Sequence, residues 1–185
     1  MTEKEKMLSG ELYDPADPEL MAERRRARLL LQALNASRDD ASEERARLLA
    51  ELLPGAPAGI WIEPPFYCDY GSNITFGERV FFNFNCVILD VAPVRIGSRV
   101  MCGPAVQIYA ATHPLNAALR SSGRELGKAV TIGDDVWLGG GAIVCPGVRI
   151  GSRSVIGAGS VVTKDVPDDV FAAGNPCRVL REIPK

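Results

Sequence analysis

The stretch VTIGDDVWLGGGAIVCPGVRIGSRSVIGAGSVVTKD, residues 130–165, divides into consecutive hexapeptides. The third positions, Ile132, Leu138, Val144, Ile150, Ile156 and Val162, are apolar without a slip. The first positions, Val130, Val136, Ala142, Val148, Ser154 and Ser160, are mostly small or β-branched. Glycine follows four of the apolar anchors, as Gly133, Gly139, Gly151 and Gly157. Strict repetition on so short a period, with glycine turns, reads as a parallel β-helix. Each hexapeptide is one short strand and a turn, with the anchor in a narrow core. The glycines are expected to relieve the backbone at the corners. Three hexapeptides close one coil, so Ile132 should stack on Ile150.

Working outward, Phe76, Phe82, Ile88 and Val94 keep the same spacing. A two-residue offset at APVRIG then restarts it at Ile96, Cys102 and Ile108. Between Ile108 and Val130 the period lapses, and residues 111–129 read as an excursion from the coil. Long interruptions of a strict repeat tend to be functional or disordered, and this one holds His113, the only histidine in the chain. The first third is written differently. Residues 17–53 are rich in Arg, Leu, Ala and Glu, which favour helix. Asp17 is placed to cap a helix whose first residue is Pro18, with Leu20, Ala27, Leu30, Leu31 and Leu34 at helical spacing. A second helix should begin near Asp40 and stop at Pro54-Gly55. The expected organisation is a helical segment over 1–56 that caps one end, then a β-helix domain over 57–185. An irregular tail after Val166 would close the other end.

Composition excludes several classes. The 185 residues suffice for one domain with a core. A formal charge of -2, from 21 Lys+Arg and 23 Asp+Glu, gives no whole-chain attraction to nucleic acid or an anionic membrane. Arg24-Arg25-Arg26 falls within the amphipathic pattern and reads as a solvated face. The charged N-terminus is unlike a signal peptide, and no run approaches the roughly 20 apolar residues of a membrane span. Five widely spaced cysteines without a C-x-x-C pattern suit reduced thiols and a cytoplasmic location.

Six blocks carry a resemblance spread over nearly the whole chain: EKMLSGELY, IEPPFYCDYGSNI, ATHPLNAALR, TIGDDVWLGGGAIV, VIGAGSVVTKDVP and GNPCRVLREI. Together they resemble the hexapeptide-repeat acyltransferases, within them the maltose and galactoside O-acetyltransferases. The resemblance implies a left-handed β-helix, against the usual right-handed crossover preference. It also implies acetyl-CoA as co-substrate and a homotrimer with active sites between protomers.

Acetyl transfer from a thioester to a sugar hydroxyl needs a base for the hydroxyl and donors for the oxyanion. Imidazole suits the first task, and His113 falls on the family's base position; Glu125 or a nearby carbonyl could fix its tautomer. WLGGGA offers exposed amides at low steric cost. The resemblance assigns the Gly140 amide to the oxyanion and Trp137 to the wall of the site. It gives Ala158, Thr163, Lys164, Arg178 and Arg181 to the coenzyme. Asn83, Asp69, Asp17 and Arg24 fall to the acceptor, with Asp14 competing with Asp17. Val91 stands where galactoside enzymes carry a substrate-binding aspartate, which favours a maltose- or glucose-like acceptor. A chitooligosaccharide, galactoside or antibiotic is the alternative. No metal is expected. A hexapeptide carbonic anhydrase would need several histidine ligands, and a purely structural β-helix would have no use for His113, WLGG and VVTKD together.

Overall fold

From Trp61 onward the chain winds as a coil with three flat faces, one short strand on each face per turn. The structure, a computed structural model, describes residues 1–184. The first turn is β1 (Trp61–Ile62), β2 (Phe66–Cys68) and β3 (Ile74–Phe76), and the second is β4 (Phe81–Phe82), β5 (Cys86–Leu89) and β6 (Val94–Ile96). The third runs β7 (Met101–Cys102) and β8 (Gln107–Tyr109), then leaves the coil through β9 (Ala111–Thr112), a helix at Ala117–Ser121 and β10 (Leu126–Gly127). It re-enters as β11 (Val130–Ile132). The fourth turn is β12 (Trp137–Leu138), β13 (Ile143–Val144) and β14 (Arg149–Ile150), followed by β15 (Val155–Ile156) and β16 (Val161–Val162). Within a face all coil strands pair in parallel: β1-β4-β7-β12-β15 on face one, β2-β5-β8-β13-β16 on face two, β3-β6-β11-β14 on face three. This is a left-handed parallel β-helix with a helical N-terminal cap.

The anchors do what their spacing predicts. Ile132 pairs with Ile150, and Phe82, Cys102, Leu138 and Ile156 form one buried column. The glycines act differently from expectation. None of Gly133, Gly139, Gly151 and Gly157 has positive φ; that conformation falls two residues later, on Asp135, Gly141, Arg153 and Gly159. The anchor glycines are required because successive turns stack too closely for a Cβ. At Gly139 it would lie 2.5 Å from the Ala158 nitrogen, and at Gly151 2.3 Å from Asp168 Oδ1.

The two-residue offset is a widened corner. Trp61 pairs with Phe81 and Phe81 with Met101, a step of 20 residues, whereas Trp137 pairs with Val155 after 18. The extra residues lie between faces two and three, where Cys68 to Phe76 and Ile88 to Ile96 each take eight residues against six from Val144 to Ile150. The excursion departs from the same edge one turn later. Fully buried Asp90 fills this corner and accepts the N–H groups of Asp69, Tyr70 and Asn73 at 2.9–3.3 Å.

Three N-terminal helices cover that edge and the open end of the coil: α1 (Glu3–Ser9), α2 (Pro18–Asn35) and α3 (Ser42–Leu52); the excursion helix Ala117–Ser121 becomes α4. Helix α1 was not expected, although Thr2 and Glu5 form a reciprocal capping box that is readable as T-x-x-E. Asp17 caps α2 as its sequence suggests, accepting from the amides of Glu19 and Leu20. Ala27, Leu31, Leu34, Leu48, Leu52 and Leu53 share one core with the coil anchors. Asn35 continues the sheet past β2, its side chain accepting from the Phe66 amide and donating to the Phe66 carbonyl, both at 2.9 Å.

The tail is not irregular. β17 (Val170–Ala173) adds a parallel strand to face one, and β18 (Arg178–Glu182) turns back antiparallel on it. Pro167, Gly174 and Pro176 masked this hairpin in the sequence. Among the described residues, no helix is long and apolar enough to cross a membrane.

Candidate active site

Where a strand ends, the turn leaves an amide for something else to accept. At the edge between faces three and one, each turn answers the one before. Ser98 Oγ accepts from Glu78 N, Asp134 Oδ1 from Ser98 N, Ser152 Oγ from Asp134 N and Asp168 Oδ1 from Ser152 N, at 2.7–3.1 Å. At the edge between faces one and two the first such amide is answered within its own turn, Asn83 Oδ1 accepting from Phe84 N at 2.8 Å. One turn on, Pro104 has no N–H. On the next two turns the amides of Gly140 and Ala158 donate to nothing among the described residues. Two N–H groups, one turn apart on one edge, are thus left for an external acceptor. Such a pair is suited to an oxyanion or to the amide carbonyls of an extended ligand.

His113 sits on the other side of face two, where the chain leaves the coil. Its side chain is exposed and has no hydrogen-bond partner among the described residues. The loop around it is held firmly. β9 pairs with β10, Lys128 N donates to the Ala110 carbonyl at 2.8 Å, and the Arg120 guanidinium donates to the carbonyls of Pro114 and Leu115, each at 3.0 Å. Glu125 does not bond His113. Its carboxylate accepts from the Tyr13 hydroxyl at 2.7 Å.

The widened corner beside it gathers charge. Among the described residues Asp69 makes no hydrogen bond through its carboxylate, and its pKa is raised from 3.8 to about 6. Burial is the main cause and the Asp90 charge the next, while Arg24 pulls it back down. Arg24 lies over the Tyr70 ring, donates to the Tyr70 hydroxyl at 2.7 Å and also holds the Pro15 carbonyl. Asp17 is engaged as the α2 cap, and Asp14 caps its own turn by accepting from Ala16 N. Val91 is buried with Met7, Tyr13, Leu20 and Tyr70 and offers no polar atom.

Among the coenzyme candidates, Thr163 and Lys164 follow β16 on the His113 edge, two turns below. Arg178 and Arg181 lie on exposed β18. None of these three cations pairs with a carboxylate among the described residues; Arg178 donates to the Cys177 carbonyl and Arg181 lies over the Phe171 ring. Trp137 points outward from β12, half exposed, in register with Met101, Phe81 and Trp61. It belongs to an apolar outward stripe.

Eight of the candidates occupy two edges, while Trp137 stands on face one, Arg178 and Arg181 on β18, and Asp17 and Arg24 on α2. Asn83, Gly140 and Ala158 share one; Asp69, His113, Glu125, Thr163 and Lys164 share the next. Between them lies a face-two strand of two to four residues, roughly 7–13 Å at about 3.3 Å per residue. The cleft between α2 and β2, lined by Arg28, Leu31, Gln32, Asn35 and Tyr67, contains none of them.

Comparison with known proteins decides the family. Residues 6–56 match the maltose acetyltransferase hexapeptide capping motif, and residues 129–164 match the bacterial transferase hexapeptide repeat. A maltose O-acetyltransferase structure from Clostridium difficile 630 superposes with a TM-score of 0.98 at 49% identity, covering 100% of this chain and 99% of that one. A hexapeptide-repeat acetyltransferase from Vibrio cholerae O1 biovar eltor, solved with acetyl coenzyme A, superposes at 0.92 with 42% identity and complete coverage of both chains. Nodulation protein L of Rhizobium meliloti (strain 1021) is 51% identical over 96% of this chain and 97% of its own length. The chain belongs to the hexapeptide-repeat acyltransferases, in the maltose and galactoside O-acetyltransferase group.

In this acyltransferase, sequence reasoning passed over Tyr13, Tyr70 and Asp90. Tyr13 lay inside the quoted EKMLSGELY block. Asp90 falls in the widened corner, and a buried carboxylate there had no sequence signal beyond the offset itself.

Proposed function

We propose that this acyltransferase moves the acetyl group of acetyl-CoA to a hydroxyl of a sugar such as maltose or glucose, directly, in a ternary complex. The observation that carries the reading is the pair of unanswered amides on one edge and the solvent-facing histidine on the next. His113 removes the acceptor proton, and the freed electron pair attacks the thioester carbonyl carbon. The Gly140 N–H receives the oxyanion, a role typically worth about 100- to 1,000-fold in rate. Collapse breaks the carbon–sulfur bond, and the departing thiolate takes the proton from the imidazolium.

Ala158 N–H and Thr163 lie along the coenzyme arm, Trp137 walls the site, and Lys164, Arg178 and Arg181 are free to meet phosphates. Asp69, Glu125 and the Nδ2 of Asn83 address the sugar, with Asp17 and Arg24 framing it from α2. Base and amides stand on different edges, so a complete site needs the edge of a second copy. A homotrimer joins three such pairs of edges by one repeated contact. All five cysteines are free, which suits a cytoplasmic home.

Release of free thiol from acetyl-CoA, measured with maltose, glucose, a galactoside, a chitooligosaccharide and an aminoglycoside, tests the acceptor. Turnover confined to maltose and glucose supports the reading; turnover with another member moves the acceptor to that class. His113→Ala should lower kcat at least about 100-fold while acetyl-CoA still binds. Normal turnover by that variant removes His113 as base.

A further inference from the structure

The His113 side chain has no hydrogen-bond partner among the described residues, yet the loop that carries it is tied down at one buried point. Tyr13 is completely buried and bonds Glu125 three times: Tyr13 N to the Glu125 carbonyl at 3.2 Å, Glu125 N to the Tyr13 carbonyl at 3.1 Å, and the phenol to Oε2 at 2.7 Å. On its other side Glu125 leads into β10, where Leu126 pairs with Thr112 and Gly127 with Ala111. Carried one residue further, that register sets Glu125 opposite His113. Directly opposed residues of an antiparallel pair project to the same side and lie within side-chain reach. Tyr13, Glu125 and His113 therefore form three successive rows, with the carboxylate in the middle.

We propose that Tyr13 is a positioning residue for the base: its hydroxyl fixes the Glu125 carboxylate, and the backbone of Glu125, paired with Tyr13 on one side and leading into β10 on the other, sets the strand end that carries the imidazole. This rests on the reading of His113 as the base. The surroundings of Tyr13 explain why a tyrosine stands there. Met7, Leu20 and Val91 supply an apolar wall that phenylalanine would fit equally well, so the hydroxyl is present for its partner. Burial and the Glu125 charge push the phenol's pKa up, which keeps it a donor. Tyr70, the other buried phenol, accepts from Arg24 at 2.7 Å and makes no hydrogen bond to Glu125 among the described residues. The N-terminal segment would thus set the geometry of a base 100 residues away in sequence.

Because the chain has a single histidine, its imidazole resonances can be read without assignment. Tyr13→Phe should change the His113 signal and lower kcat between about tenfold and a hundredfold, the range in which misplacing a reacting group falls, with KM for acetyl-CoA unchanged. In a Glu125→Ala background the same substitution should have no further effect. Should Tyr13→Phe fail to fold, Glu125→Ala opens the same contact from its less buried end and should alter the same signal. A folded Tyr13→Phe with wild-type kcat and an unmoved histidine signal overturns the proposal, as does an equal loss of kcat with Glu125 absent. If His113→Ala keeps full activity, the base assignment fails instead, while the histidine signal still reports whether Tyr13 orients the ring.

Discussion

Replacing Asp69 with asparagine should make the protein more stable, and increasingly so as the pH rises. The carboxyl is raised from 3.8 to about 6 by burial and by the charge of Asp90, and among the described residues it makes no side-chain hydrogen bond in return. Between those two values the folded chain binds more protons than the unfolded one, so unfolding free energy falls as the pH climbs through the interval. At about 1.4 kcal/mol per unit, the penalty reaches about 3 kcal/mol near neutrality and vanishes below pH 4. Asp69→Asn removes the charge and keeps the shape. Urea unfolding of both proteins at fixed protomer concentration, from pH 4 to 8, isolates this residue as a difference. The difference should be near zero at pH 4 and approach about 3 kcal/mol in favour of the variant by pH 7. A difference that stays flat, or that favours the wild type at high pH, would refute the reasoning. The gain in stability should accompany a higher KM for the acceptor, since stabilising a strained site tends to diminish its function.

Gly140→Pro deletes the N–H and adds a ring whose Cβ would stand 3.3 Å from the Pro104 carbonyl; with folding checked by thermal unfolding, the variant should lose about 100- to 1,000-fold in kcat. Gly139→Ala places a Cβ 2.5 Å from the Ala158 nitrogen and should instead lose about 1–3 kcal/mol of stability by overpacking, as thermal unfolding will show. Mixing Gly140→Pro with His113→Ala chains under verified subunit exchange should restore about a quarter of the sites, if each is built from two copies; no recovery would place the whole site within one chain. Replacing Lys164 and Arg178 together should weaken coenzyme binding in calorimetry, and added salt should weaken the wild type in the same direction. An unchanged dissociation constant removes both from the site.

The coil was legible because its anchors obey one rule for six successive hexapeptides, a regularity that packing enforces and chance does not. The reason for the glycines was not legible. Spacing shows that a residue is small, but only coordinates show whether φ or a neighbouring turn demands it. Helix α1 was readable from Thr2 and Glu5 and was passed over because its seven residues carry no sustained apolar period. The candidate site divides in the same way. His113 stood out by being unique. The openness of the Gly140 and Ala158 amides depends on what other turns fail to supply: Pro104 lacks a donor, and Asn83 answers only Phe84. Such an accounting cannot be made along a line of text.

The uneven step of the coil separates two kinds of freedom. Residues can be added between faces two and three, as happens twice in small measure and once as the excursion, while the pairing on the other faces continues in register. The open amides stand on an edge whose stride never varies; the histidine and the carboxylates stand on the edge whose stride does. A lineage built on this frame can lengthen, shorten or reshape the part that greets the alcohol, and the part that would cradle the thioester feels none of it.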